Sequence, residues 1–420
     1  MQPPAALSAV PRAGARRALA VLTLINLVNY LDRYVLSAVV ESLRRSELAL
    51  SDAQLGALMT AFVLVYMLAS PVFAALADRG APRPRLLAVG VALWSLATLA
   101  SAFAGSYAAL FAARAVVGVG EAAYGTVAPA LIADEYPLAR RGRAFSVFYA
   151  AIPVGSALGY VVGGLVDGLA GWRAAFLVAA VPGLLLSVLA LRLADPPRGA
   201  MDGAPPARAS AAGAYLRLLR NGPYRATVLG YAAYTFALGG MAFWMPAFLE
   251  RVRGVPRAAA TTQFGATVVV TGFVGTFAGG WLGDRLLKRY RNAYLGLSGL
   301  ATLAAAPLSV VVFTASSRPA WLGALIAVQL LLFASTGPIN SVIVNVVAPG
   351  ERATAVALSI LTIHALGDVP SPWLIGRLSD ASSLERAVML VPAAVLVSGV
   401  IWTWAALRGG RAPLTRDRPG

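Results

Sequence analysis

The 420-residue sequence contains no cysteine, a single histidine, His364, and a single lysine, Lys288. Without thiols there is no disulfide, no cysteine nucleophile and no thiolate metal site. With one imidazole, and neither an HExxH nor a GxSxG motif in a suitable context, zinc-hydrolase and serine-hydrolase chemistry lack their parts. The lone lysine stands in LLKRYR rather than at the end of a glycine-rich phosphate loop, which excludes an ATP-driven pump. No catalytic constellation, metal site or cofactor is therefore expected. Charge is scarce as well: 13% of residues are charged and 59% are hydrophobic, with a mean hydropathy of +0.72. So apolar a chain cannot hide its surface in one soluble core and has to be solvated by a lipid bilayer. The net charge of +17 comes from short basic clusters between apolar runs, with no basic stripe and no aromatic interleaving, so nucleic acid is not an expected partner.

Membrane-length apolar runs number twelve: residues 18–43, 53–77, 86–104, 107–132, 144–167, 173–193, 224–249, 260–283, 294–314, 320–347, 353–376 and 387–407. The N-terminal basic-then-apolar stretch imitates a signal peptide, but its apolar run is longer than a signal core and carries Asp32 and Arg33, so it reads as a retained first helix. Between the sixth and seventh runs lies a Pro-, Ala- and Arg-rich segment without sustained period, a linker. The expected organisation is thus a six-helix bundle over 1–193, a cytoplasmic linker over 194–223 and a second six-helix bundle with a short tail over 224–420. Of the 35 basic residues, 24 fall in segments that share one side if both termini are cytoplasmic. That bias fixes the expected topology: multi-pass in the cell inner (plasma) membrane, both termini inside.

The two halves echo each other. AALADRGAPRPR after the second run answers GGWLGDRLLKRYR after the eighth, and RRGRAFSVFYA answers PGERATAVALS. Gln54 and Gln263 stand 209 residues apart, as do Ala144 and Ala353, and Asp78 and Asp284 stand 206 apart. Two halves related by a parallel repeat are an architecture of secondary transporters, which place their substrate near the bilayer midplane.

Against this apolar background a few charges stand out. Asp32 and Arg33 lie in the first run, and Arg114 and Glu121 in the fourth. A charge near the centre of a spanning helix costs about 2.5–3.5 kcal/mol on insertion scales, so each needs a reason. At 1.5 Å per residue, Asp32 lies roughly 21 Å from the start of its helix and Arg114 about 10 Å from the opposite end of its own, depths that coincide in a core of about 30 Å. An Asp32–Arg114 pair is geometrically allowed. Glu121, two turns beyond Arg114, shares its face; Arg33, rotated about 100° from Asp32, is aimed at a different partner, Glu121 or an anionic substrate group. Two roles stay open for these carboxyls: ties between helices, or proton carriers whose titration shifts the balance of conformations. The same choice holds for His364, four residues before Asp368 and so on one face with it, in a helix interrupted by Gly367, Pro370 and Pro372.

LADRGAPRPR resembles the loop signature of the major facilitator superfamily, and RAVVGVGEAAYG its fourth-helix signature. More narrowly, NYLDR, GVGEAAY, GGMAFWMPAFL, FGATVVVTGFVG and HALGDVPSPWLIGRLSD together resemble the Spinster family of lipid-type transporters. The resemblance implies an all-α integral membrane protein of twelve helices with pseudo-two-fold symmetry, acting as a proton-coupled transporter by alternating access. It implies proton coupling through Asp32, Glu121 and His364, and a central cavity lined by Tyr30, Arg33, Arg114, Tyr124, Phe243, Trp244 and Asp368. Latch roles at the loops fall to Asp78, Arg79, Arg143, Asp284, Arg285 and Arg352. The implied substrate is an amphipathic lipid-like solute of lysophospholipid or sphingoid type, the driving force a proton gradient, and the molecule a monomer. A proton-driven multidrug or organic-anion exporter, and a non-transporting sensor on the same scaffold, remain alternative readings.

Overall fold

The computed structural model describes residues 11–201, 211–290, 292–347 and 352–408. The described residues hold helices and no strand: α1 Ala15–Ala38, α2 Val40–Arg45, α3 Asp52–Asp78, α4 Arg83–Ala102, α5 Tyr107–Glu135, α6 Leu138–Ala190, α7 Ala211–Arg220, α8 Gly222–Arg251, α9 Arg257–Leu287, α10 Ala293–Thr314, α11 Arg318–Asn345, α12 Arg352–Ile363, a π-helix His364–Asp368, α13 Pro370–Ala381, α14 Leu384–Ala387 and α15 Leu390–Arg408. Eleven helical stretches are long and apolar enough to span a bilayer, and one of them, 143–190, has 48 residues. At 1.5 Å per residue that would reach about 72 Å, more than twice a bilayer core. The helix breaks at Gly171, whose φ of 82° is left-handed and suits glycine. Beyond it the chain turns back along α4: Arg173 donates to the Ala104 carbonyl at one end and Asp195 meets Arg83 at the other. The stretch is therefore two spans, which brings the described residues to the twelve expected.

The chain forms two compact units. The first comprises 1–207 with Leu249–Gly265, the second 208–248 with 266–420. The sequence-based boundaries differ on two points. The linker segment over 194–223 carries a helix, Ala211–Arg220, and residues 249–265 group with the first unit although they belong to the seventh and eighth runs. The second difference has an electrostatic cause. Arg251 donates to both Glu41 and Asp52, at 2.8 Å from Nε to Glu41 and 2.5 Å from Nη1 to Asp52, and Arg257 donates to Asp167 at 3.0 Å.

Glycine sets the helix spacing in the first unit. Gly155, Gly159 and Gly163, one turn apart on α6, lie against Leu27, Leu31 and Val35 of α1, where a Cβ would strike backbone or Cβ atoms. Gly120 of α5 meets Gly90 and Trp94 of α4, and Gly118 meets Phe62 and Tyr66 of α3. Small residues let backbones approach closely where lipid supplies no hydrophobic drive for association. α3 begins with a capping box: Ser51 Oγ accepts from the Gln54 N–H at 3.3 Å and Gln54 Oε1 accepts from the Ser51 N–H at 3.0 Å. This gives Gln54 of the repeat a local role.

In the second unit, Tyr234 of α8 donates to the Leu332 carbonyl of α11 at 2.7 Å, and Trp402 of α15 donates to the Thr227 carbonyl at 2.9 Å. The eleventh span is divided by the π-helix, closed by Val369 N–H to the His364 carbonyl at 3.1 Å, a five-residue step. Pro370 follows directly; it has no N–H to continue the ladder, and the wider turn accommodates its ring.

Arg83 pins the start of the connector. Fully buried at the first turn of α4, it donates to Asp134 at 2.5 Å, to Asp195 at 2.8 Å and to the Pro196 carbonyl at 2.5 Å. Partial burial raises the Asp195 carboxyl, but hydrogen bonds from the Arg83 side chain and backbone N–H, with the neighbouring positive charge, outweigh it and hold the group below its ordinary 3.8. A carboxyl depressed on folding stabilises fully above its unfolded value and loses that contribution as pH falls through the folded value. Two results are expected in thermal unfolding. Arg83→Met, which strands Asp134 and Asp195, lowers stability by about 3–5 kcal/mol, and Asp195→Asn flattens the loss of melting temperature as pH drops below 3.8.

Candidate functional site

The first unit gathers its buried charges from three helices. α1 places Asp32 and Arg33 side by side, α5 places Arg114 and Glu121, and α4 contributes Thr98; Asp32, Arg114, Glu121 and Thr98 are all fully buried. Arg33 Nη2 donates to Glu121 Oε2 at 2.6 Å. Thr98 Oγ1 donates to Asp32 Oδ2 at 2.7 Å. The Asp32–Arg114 pair that helix depth allows does not form. The three guanidinium nitrogens of Arg114 and the Oδ1 of Asp32 have no hydrogen-bond partner among the described residues, and the two side chains interact only through their fields. The physical reason is the presence of closer partners: the α1 rotation that turns Arg33 onto Glu121 leaves Asp32 facing Thr98.

Aromatic rings enclose the cations. The Arg33 guanidinium carbon lies 4.7 Å from the Tyr30 ring centroid, 4.9 Å from Phe62 and 5.6 Å from Tyr66, and Arg114 lies 5.5 Å from Phe62. A ring face attracts a cation by its quadrupole, most strongly where water is excluded. Of the four charged residues only Arg33 keeps appreciable exposure, with 19% of its side chain accessible against none for Glu121. With every group ionised, two acids offset two arginines. A proton on either acid leaves one positive charge uncompensated, and the accessible group able to present it is Arg33.

Other expected site residues fall elsewhere. Tyr124 is buried, donates to the Leu22 carbonyl at 2.5 Å and packs edge-on to Trp94, so it ties α5 to α1 instead of lining a cavity. Phe243 and Trp244 form a buried T-shaped pair, with Trp244 Nε1 donating to the Pro372 carbonyl at 2.9 Å. They are core residues of the second unit, not walls open to a ligand. His364 Nδ1 meets both carboxylate oxygens of Asp368, at 2.8 and 3.0 Å, on the half-buried π-helix. Among the expected latch residues, Arg79 and Arg143 are exposed. Asp284 accepts from Tyr294 at 2.6 Å and Arg285 lies over Trp281. The side chains of Asp78 and Arg352 lie outside the described residues.

Sequence reading missed Thr98, Phe62 and Tyr66. Thr98 gave a weak signal as a hydroxyl in an otherwise Ala- and Leu-rich span. It also missed the ion-pair group at the far end of the first unit, where Glu41, Asp52, Asp167 and Glu250 meet Arg45, Arg251 and Arg257. On sequence alone those arginines mark only topology.

A family model described as Major Facilitator Superfamily matches residues 22–372. "Protein spinster homolog 3" of Danio rerio is 36% identical over 93% of this chain and 84% of its own length. The chain belongs to the Spinster family of the major facilitator superfamily. This Spinster-family chain is also 34% identical, over 92% of its length and 76% of the relative's, to "Sphingosine-1-phosphate transporter SPNS2" of Mus musculus. A crystal structure of a bacterial homolog to the human lysosomal transporter Spinster, inward-facing and unoccupied, superposes with a TM-score of 0.85 at 24% identity, covering 95% of this chain and 98% of the other. A D-xylose–proton symporter shares the fold, with a TM-score of 0.69 at 18% identity over 93% of this chain and 95% of its own. The protein is a multi-pass membrane transporter and not an enzyme.

Removing Glu121 strands a cation held inside the bundle, whereas removing Thr98 costs one neutral hydrogen bond. Glu121→Ala is expected to lower stability by about 3–5 kcal/mol and Thr98→Val by about 1 kcal/mol, read as melting temperatures of the purified protein in one detergent.

Proposed function

We propose that this Spinster-family transporter is proton-coupled and moves an amphipathic lipid-like solute, of lysophospholipid or sphingoid type, by alternating access. The observation that carries the reading is the Arg33–Glu121 ion pair, 2.6 Å long, with Asp32 beside it. Two acids sit where lipid surrounds the bundle, each with one buried oxygen lacking a partner among the described residues. A proton delivered to Glu121 frees Arg33; one delivered to Asp32 removes the field that offsets Arg114. Either change leaves a positive charge for an anionic headgroup to neutralise, so proton and solute are coupled through one charge balance. One charge crossing 100 mV is worth about 2.3 kcal/mol, enough to bias such a cycle.

On this reading Tyr30 and Tyr66 offer ring faces to an acyl chain near the cationic head contact, and the His364–Asp368 pair is a second proton-responsive group. Asp78, Arg79, Arg143, Asp284, Arg285 and Arg352 act as conformational latches at the loops. The protein works as a monomer in the inner membrane with both termini cytoplasmic and needs no cofactor. The sphingosine-1-phosphate relative supports a lipid-like substrate by chemistry, since that solute joins a long chain to an anionic head.

The test is flux of labelled lysophospholipid by purified protein in sealed vesicles, with and without an imposed pH gradient. Wild type is expected to show gradient-stimulated flux, and Asp32→Asn or Glu121→Gln to lose at least about tenfold of the stimulated component, a barrier change of roughly 1.4 kcal/mol or more. Flux indifferent to pH and equal in all three proteins would sink the proton reading. Gradient-driven flux of cationic drugs but not lysophospholipid would replace the substrate class.

A further inference from the structure

The second unit contains a cavity of about 1420 Å³ that the transport reading does not use. It opens between the beginning of α8, the ends of α11 and α15 and the start of α10. Its polar residues are not scattered. Arg225 from α8 and Arg408 from α15 stand at the same end as Asn221 and Asn292, which are already engaged, Asn221 with the Val346 carbonyl and Asn292 with the Ala406 carbonyl. Both arginines are exposed, neither forms an ion pair among the described residues, and no acidic side chain lines the cavity. The Arg408 guanidinium carbon rests 4.1 Å from the Trp404 ring centroid, which holds it over the cavity wall.

Deeper in, the lining changes character. Leu229 lies one helical turn beyond Arg225; Trp404 and Val400 lie one and two turns from Arg408. These three side chains are 49%, 49% and 51% exposed, in spans that lipid surrounds. Two cations lining the cavity, with an apolar wall running about 6–12 Å inward from Arg225 and Arg408, match the polarity order of a phospholipid, headgroup then acyl chain. The neighbouring helix supplies a second, independent observation. α7 is amphipathic: Leu218 packs against Tyr224, Val228 and Ile343 of the same unit, while Tyr215, Leu216 and Leu219 are exposed and Arg217 and Arg220 carry charge. A short basic helix with an exposed apolar face lies in the headgroup layer, which places the cavity mouth at that layer too.

We propose that this crevice is a binding site for an anionic phospholipid of the leaflet on the side of the chain termini. Its phosphate sits between Arg225 and Arg408 and one acyl chain follows Leu229, Trp404 and Val400. Planar guanidinium groups suit phosphate by paired N–H donors, and the ring under Arg408 limits the freedom lost on binding. The occupant is a structural or modulating lipid, held wholly by the second unit, whereas the acid–arginine cluster lies in the first. The inference rests on the membrane setting and not on the proton or substrate reading.

Native mass spectrometry of delipidated full-length protein, titrated with phosphatidylglycerol or phosphatidylcholine, tests it. Wild type is expected to retain phosphatidylglycerol about thirtyfold more tightly than phosphatidylcholine, the value for two arginines at an anionic lipid surface. The double substitution Arg225→Gln with Arg408→Gln should abolish that preference with melting temperature unchanged, and Arg225→Lys with Arg408→Lys should restore part of it. Phosphatidylglycerol carrying brominated chains should quench wild-type tryptophan fluorescence, and Trp404→Phe should lose that part of the quenching. Equal retention of the two lipids by wild type, or an undiminished preference in the double Gln variant, would overturn the proposal. So would full displacement by millimolar inorganic phosphate, which would mark a free-anion site, or a preference that appears only in a dimer.

Discussion

A charge inside a bilayer has to find its counter-charge within the protein, because the surrounding medium cannot solvate it. Much of the first unit is arranged around that demand. α1 and α5 carry two acids and two arginines inside the bundle, where Arg33 and Glu121 touch, and Gly118 and Gly120 let α5 press against α3 and α4. A Cβ at Gly120 would come within 2.5 Å of the Gly90 carbonyl oxygen and the Trp94 nitrogen. Gly120, next to Glu121, thus fixes how closely the stretch of α5 that carries the acid lies on α4.

The same rule governs the rims, with different partners. At one end of the first unit Arg83 gathers two carboxylates and a carbonyl, and at the opposite end Arg251 and Arg257 gather four acids. Arginine suits these places because its five donors can satisfy several acceptors at once, where lysine offers a point charge. A chain with a single lysine and many arginines carries that preference in its composition.

Much of this was legible in the sequence. The twelve spans follow from hydropathy, and their pairing into halves from repeated loop residues such as Asp78 and Asp284. The 100° rotation between Asp32 and Arg33 already offered Glu121 as a partner for Arg33. What could not be read were contacts made by residues without a distinguishing mark on their own helix. Phe62 is one aromatic among many, and Thr98 one hydroxyl among several; only tertiary packing gives them a partner. The Asp32–Arg114 pair, which depth allowed, is missing for the complementary reason. Depth along the helices allowed it, but depth says nothing of which face a neighbouring helix covers. Tyr124, Phe243 and Trp244 illustrate the same gap, since an aromatic side chain in a span fills a core as readily as it lines a cavity.

The glycine stripe on α6 has a mechanical side. With Gly155, Gly159 and Gly163 seated on the α1 backbone, those two helices have no side-chain layer between them to slip on, and they form one stiff beam. The glycines of α5 weld it in the same way to α3 and α4 in a second beam. Asp32 and Arg33 ride on the first beam, Thr98 and Glu121 on the second, and the two polar bonds cross the seam between them. A relative shift of the two beams therefore loads these bonds directly, together with the one from Tyr124 to the Leu22 carbonyl, and a change in any of them is felt along the whole length of both.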